Sequence, residues 1–193
     1  MRLFFKGVLF AFGFLLASPL ILITWLEALI MGKEYERMYA GCTEILCIVP
    51  TIIGNLMRKA FYWTTCNKVY WNTHLKMGSW LAHRNNKIGP GVTIGAFTFI
   101  GYADIGKNVI FGARVSIISG KYQHGKPEER INNRDIVEEN VVITIGENSW
   151  IGQDVVIMAN IGKNCTVGAG SVVMKDVPDN TTVLGNPARK VSM

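Results

Sequence analysis

From Ile88 to about Val173 the chain repeats a six-residue unit, interrupted once. Ile88-Gly-Pro-Gly-Val-Thr is followed by Ile94-Gly-Ala-Phe-Thr-Phe, Ile100-Gly-Tyr-Ala-Asp, Ile105-Gly-Lys-Asn-Val-Ile and Phe111-Gly-Ala-Arg-Val-Ser. After the interruption come Ile145-Gly-Glu-Asn-Ser-Trp, Ile151-Gly-Gln-Asp-Val-Val, Ile157-Met-Ala-Asn, Ile161-Gly-Lys-Asn-Cys-Thr and Val167-Gly-Ala-Gly-Ser-Val. Self-similarity at a fixed period marks a solenoid, in which stacking buries what one unit cannot bury alone. Each unit reads as a short strand and a corner. The apolar residue points inward to a stacked column, the glycine tolerates the turn of the backbone, and three sides close one triangular coil. Coils then hydrogen-bond to one another at the ordinary strand spacing, about 4.8 Å. The two short units, at Ile100 and Ile157, are expected to be absorbed as local irregularities.

These units resemble the hexapeptide-repeat acyltransferases, over about residues 75 to 190. The resemblance implies a mainly β fold, a left-handed parallel β-helix, and assembly as a homotrimer. Handedness comes from the resemblance alone, because crossover connections are ordinarily right-handed. A fold does not by itself fix a reaction.

A chain of 193 residues has room for one domain and an appendage. We divide it into an N-terminal helical, membrane-associated region over residues 1–70 and the β-helix over 71–193. The hydrophobic content of 49% is high for a soluble protein, and the excess sits mostly at the N-terminus. A net charge of +6 beside a membrane-like segment points to anionic headgroups or a polyanionic cofactor. Nucleic-acid binding would want a clustered Lys/Arg stripe with interleaved aromatics, which the sequence lacks. Cys42, Cys47, Cys66 and Cys165 form neither a CxxC pair nor an even framework, which suits a reducing compartment.

Residues Gly7 to Leu26 run apolar without a charge, and about 20 such residues span a bilayer. A spanning helix and an in-plane or re-entrant one both fit, since Pro19 would kink a helix near its middle. No small-x-small cleavage site ends the run, which argues against a signal peptide. Arg2 and Lys6 on one side and Lys33 and Arg37 on the other leave orientation open. A second apolar stretch, Ile45 to Met57, is too short to span; Arg58, Lys59 and the cluster Phe61, Tyr62, Trp63 follow it. It suits a segment at headgroup level, or a helix packed on the base of the solenoid. Membrane contact is therefore expected through residues 1–63.

The repeat disappears over an extended loop at 119–142, which contains Ser119-Gly-Lys-Tyr-Gln-His-Gly. A long loop inside a compact domain is usually functional or disordered. Its histidine, His124, occupies the loop in which several of these acyltransferases carry a catalytic histidine. An imidazole suits removal of a proton from an acceptor hydroxyl or amine as it attacks a thioester. Glu128, Glu129, Asp104 and backbone carbonyls are all candidates to orient it. His83 opens the ladder, where it reads as a surface corner residue or as part of a neighbouring subunit's acceptor site. Related solenoids of the γ-carbonic-anhydrase type hold zinc on three histidines. Here His74 and His83 precede the regular coils and none follows His124, so no metal is expected.

For the donor, the resemblance implies acetyl-CoA in the groove between adjacent solenoids, near Gly152, Gly168, Ala169, Met174, Lys175 and Arg189. Lys175, Arg189 and Lys190 supply cations for its phosphates. Trp150 borders this donor region or serves packing alone. The reading reached is an acyl-CoA-dependent O-acetyltransferase acting on a sugar hydroxyl, in a surface-polysaccharide or lipid-linked precursor. It would work at the inner (cytoplasmic) membrane with its catalytic domain facing the cytoplasm. N-acetylation of an amino sugar or small amine, and a non-catalytic solenoid scaffold, are the alternatives.

Overall fold

The computed structural model describes residues 2–119 and 141–191, the side chains of residues 2–6 aside. Three helices, α1 (Arg2–Met31), α2 (Arg37–Ile48) and α3 (Thr51–Thr65), precede a three-faced parallel solenoid. The first face stacks Lys68–Val69, Lys87–Ile88, Ala103–Ile105 and Ile143–Ile145, extended by bridges from Ile145 to Ile161 and from Ile161 to Val177. The second stacks His74–Leu75, Thr93–Ile94, Ile110–Phe111, Trp150–Ile151, Thr166–Val167 and Thr182–Leu184, and ends on the antiparallel strand Arg189–Lys190. The third stacks Trp80–Leu81, Phe99–Ile100, Ser116–Ile117, Val156–Ile157 and Val172–Val173.

The core is the set of columns that the repeat foretells. Val69, Ile88, Ile105, Ile145, Ile161 and Val177 lie one above another inside the first face. Leu75, Ile94, Phe111, Ile151, Val167 and Val183 line the second, and Leu81, Ile100, Ile117, Ile157 and Val173 the third. Burying each such side chain contributes about 1.5–3 kcal/mol relative to exposure.

The repeat glycines have a different task from the one expected of them. The turn falls two residues later, at Phe97, Asn108, Arg114, Asn148, Asp154 and Asn164, whose φ values lie between 53° and 60°. A Cβ on Gly106 would lie 2.6 Å from the Glu147 amide nitrogen, and one on Gly112 2.7 Å from that of Gln153. The glycines therefore let coils stack closely. The asparagines suit the left-handed conformation, and Asn108, Asn148, Asn164 and Asn180 pass side-chain hydrogen bonds up one corner at 3.1, 3.3 and 3.1 Å.

The short units at Ile100 and Ile157 are not isolated irregularities. Both sit at the corner from the third face to the first, which is tight in several coils: Ile100 to Ile105, Ile157 to Ile161 and Val173 to Val177. Partners are 19 residues apart between the first two coils, 17 between the second and third, and 16 above the loop. Across it they are 40 apart.

The first coil begins at Lys68, before the regular ladder, and the helices rest on it. The Arg58 Nε donates to the Leu75 carbonyl (3.2 Å), the Leu81 amide to the Tyr62 hydroxyl (3.3 Å), and the Tyr39 hydroxyl to the Leu81 carbonyl (3.1 Å). So α3 packs on the solenoid base and buries Ala60, Phe61 and Tyr62. Helix α1 runs unbroken through Pro19. It buries Ala17, Ile21, Thr24 and Glu27, at helical spacing. Gly13 lies against Leu56, where an added Cβ would come within 2.7 Å of the Leu56 Cβ. On its other face Leu15, Leu22, Leu26, Leu29 and Ile30 are exposed. The helix is long and apolar enough, over Gly7–Met31, to cross a membrane.

Candidate active site

The loop leaves the solenoid after Ser119 and returns at Val141, at the corner from the third face to the first. Residues 120–140, His124 with them, lie outside the described residues. Around the loop's ends the corner backbone is fixed by side-chain caps. Asn86 Oδ1 accepts from the Ala103 amide (2.8 Å) and Ser119 Oγ from the Tyr102 amide (2.8 Å). Above the loop, Asn160 Oδ1 accepts from the Thr144 amide (2.8 Å) and Asp176 Oδ1 from the Asn160 amide (2.9 Å). Such caps satisfy donors that the turns would leave unpaired.

Two coils below the loop's return, the same corner carries His83. Its ring stacks on Tyr102, centroids 3.7 Å apart and planes 10° apart. Its Nδ1 lies 2.7 Å from Glu36 Oε2. Glu36 Oε1 accepts from the Arg84 amide at 2.8 Å, so one carboxylate holds both the imidazole and the backbone beside it. A carboxylate at Nδ1 selects the tautomer with its proton there, leaving Nε2 as the basic nitrogen. Burial, with the Glu36 and Glu34 carboxylates nearby, raises the Tyr102 hydroxyl above the ordinary phenol range. Tyr102 therefore stays a neutral donor at neutral pH. Arg84 turns inward, its Nη2 reaching Glu27 Oε2 (2.5 Å) and the Thr24 carbonyl (3.1 Å), with its guanidinium 4.9 Å from the Tyr39 ring. Glu36 and Glu27 escaped the sequence reading because they lie in the helical region, which carries no repeat signal. Glu36 lies in the turn before α2.

The residues named for the donor fall into two groups at opposite ends of the third face. Gly152, Gly168 and Ala169 stack at its near corner. The terminal strand bearing Arg189 is tied there by the hydrogen bond from the Ala188 amide to the Val172 carbonyl (2.8 Å). Met174 and Lys175 stand exposed at the far corner, which is the corner of the loop. Within this chain a Cβ on Gly152 would meet the Ala169 amide nitrogen at 2.5 Å, and one on Gly168 would meet Leu184. The missing side chains at both positions are thus accounted for by coil stacking. Ala169, Lys175 and Arg189 are exposed and free to face a ligand. Trp150, on the second face, is half exposed. His74 lies on the second face of the first coil, away from the His83 corner. Among the described residues no group of three or more His, Cys, Asp or Glu side chains is arranged to hold a metal.

Residues 142–175 match the hexapeptide repeat of succinyl-transferase. A maltose O-acetyltransferase from Clostridium difficile 630 is similar in structure, with 26% identity, coverage of 81% of this chain and 85% of that one, and a TM-score of 0.63. The chain carries the hexapeptide repeat and folds like hexapeptide-repeat acetyltransferases. A hexapeptide-repeat-containing acetyltransferase from Vibrio cholerae shares the fold at 21% identity, with coverage of 81% and 89% and a TM-score of 0.58. So does an N-acyltransferase from Bacillus cereus, a mutant solved with dTDP and coenzyme A, at 19% identity, coverage of 63% and 69% and a TM-score of 0.53. Among curated proteins no sequence matches. The left-handed sense of the solenoid is inferred from this likeness, which also supports a transferase in broad class.

Proposed function

We propose that this acyltransferase moves an acetyl group from acetyl-CoA to a sugar hydroxyl, with His124 as general base. The imidazole takes the hydroxyl proton as the oxygen attacks the thioester carbonyl. The tetrahedral intermediate then collapses, the C–S bond breaks, and the imidazolium returns the proton to the coenzyme A thiolate. Support comes chiefly from the likeness to the maltose O-acetyltransferase, at 26% identity over 81% of this chain. Acetyl-CoA lies near Ala169, Lys175 and Arg189, in a seam between protomers of a homotrimer. The apolar helix Gly7–Met31 attaches the enzyme to the cytoplasmic membrane, where lipid-linked glycan precursors are the acceptors and cytosolic acetyl-CoA is within reach.

The Glu36–His83 contact favours a second histidine at the site, with His83 orienting the acceptor. The test is turnover of acetyl-CoA by the full chain with hydroxyl-bearing and amine-bearing sugars. His124→Ala should lower kcat/KM by about 10²- to 10⁴-fold. Unchanged turnover would remove the proposed base, and preference for amines would make the enzyme an N-acetyltransferase. No turnover and no acetyl-CoA binding would leave a scaffold.

A further inference from the structure

A cavity of about 510 Å³ opens where the N-terminal helices meet the first coil, within the usual range for small-ligand sites. It is far along the chain from the loop corner, and no step proposed above uses it. Its apolar lining is Leu9, Phe10, Ile52, Leu56 and Met77. Its cationic lining is Lys59, Lys76 and Arg58, and no lining residue is acidic. Arg58 is fully buried, and its Nε and Nη1 donate to the carbonyls of Leu75, Leu46 and Val49, which bind the cation without cancelling its charge. Two of these carbonyls belong to the C-terminal end of α2, where a helix favours positive charge.

The mouth has the chemistry of a bilayer interface. Lys59 lies over the Trp71 ring at 6.0 Å, both among the lining residues, and next along the chain Lys68 lies over the Tyr70 ring at 5.9 Å; both rings are partly exposed. Aromatic rings beside basic side chains mark the headgroup level. Ile48, Ile52 and Ile53 continue the exposed apolar surface outward from it. A pocket lined by both apolar and cationic side chains fits an amphiphile with an anionic head. A free phosphate would leave the apolar lining unfilled, and a choline headgroup would set a fourth cation beside three.

We propose that this cavity binds one anionic phospholipid of the phosphatidylglycerol type, its phosphate at Lys59 and Lys76 and its acyl chain along Phe10, Ile52 and Leu56. The proposal rests on the membrane attachment read above, and the two are measured separately. The full chain is taken up in neutral-detergent micelles doped with phosphatidylglycerol or phosphatidylcholine, and retained lipid is counted by native mass spectrometry. One phosphatidylglycerol per chain is expected, with phosphatidylcholine retained at least tenfold less. Lys59→Gln with Lys76→Gln should weaken retention by roughly 10- to 30-fold, and Ile52→Asp should abolish it from the apolar side. Lys107→Gln with Lys163→Gln, on the solenoid wall, should leave it unchanged.

Equal retention of the two lipids, or no change in the Lys59/Lys76 variant, would overturn the proposal. So would a disulfide-linked dimer of Ile52→Cys that forms equally with and without phosphatidylglycerol, since a second copy would then cover the mouth. Membrane fractionation of the wild-type chain reads attachment on its own. A soluble chain that still retains the lipid loses the attachment and keeps the cavity, and a membrane-bound chain that retains none loses the cavity.

Discussion

Glu36 and His83 are 47 residues apart in the chain and 2.7 Å apart in the fold. Because Glu36 also accepts from the Arg84 amide, it ties the turn before α2 to the corner from which the loop departs. Glu36→Gln keeps the shape of the side chain but loses its charge, and its NH2 can donate to Nδ1, so one tautomer is no longer selected. We predict that it lowers kcat/KM by about tenfold or more, less than the roughly 10²–10⁴-fold expected of the general base. The loss should fall on the KM of the acceptor and spare that of acetyl-CoA. A merely structural contact would lower both or neither, so steady-state kinetics on the two substrates decide it.

Glu27 and Arg84 form a buried ion pair between α1 and the end of the first coil. Glu27 Oε1 and Oε2 also accept from the Met38 and Tyr39 amides, at 2.5 and 3.1 Å. Removing one partner strands a charge, so Arg84→Met should destabilise the chain by about 3–5 kcal/mol, whereas Glu27→Leu combined with Arg84→Met should come much closer to neutral. Denaturant unfolding of the full chain in micelles measures both. The comparison also reports how firmly the apolar helix is docked on the catalytic body.

The columns of Ile, Val and Leu were legible in the chain because a solenoid writes its contacts as a local period. Ile88, Ile105 and Ile145 pair where the repeat places them, even across the long excursion. Two things were misread for a physical reason. Glycine was given the turn because it tolerates positive φ, yet in coils this close the scarcer resource is space, and asparagine can make the turn. The short units were read as accidents because one unit seen alone hides a tight corner that recurs in several coils. The helical part was illegible: Glu36, Glu27, Arg58 and Tyr39 meet residues up to 57 positions away, and no spacing announces such pairs. For the site, the repeat located the interruption between Ser119 and Val141 and the sequence singled out His83, but not its partners Glu36 and Tyr102; His124 lies outside the described residues.

The two tasks of glycine can be separated by substitution. Gly95 has ordinary φ, but a Cβ there would overlap the Gly112 carbonyl, which is backbone and cannot step aside. Gly170 has open space around it and a φ of 70°. Gly95→Ala should therefore force the coils apart and cost about 1–3 kcal/mol or more. Gly170→Ala should cost only the left-handed penalty, about 1–2 kcal/mol, and Gly170→Asn less than that. Unfolding midpoints of the three variants test the order. A Gly170→Ala variant worse than Gly95→Ala would contradict it.

The coils on either side of the loop are held in register by side chains as well as by their backbones. Arg114 makes a bidentate contact with Asp154 at 2.6 and 2.8 Å, and Lys107 meets Glu147 at 3.2 Å, each joining residues 40 apart. The Arg114 hydrogen bonds hold the Asp154 carboxyl below its usual range, and Lys107, with Lys163, does the same for Glu147. A carboxyl depressed in the folded state stabilises it above the unfolded-state pKa, about 4, and that contribution fades as pH falls through the lower folded value. All four groups face solvent, so the effect is small and screened by salt. Asp154→Asn should therefore lower Tm at pH 7 in low salt, by less in high salt, and not at all once pH is below the folded value. If the variant's deficit stayed the same at acid pH, the shape of the Asp154 side chain rather than its charge would be what keeps these two coils aligned across the loop.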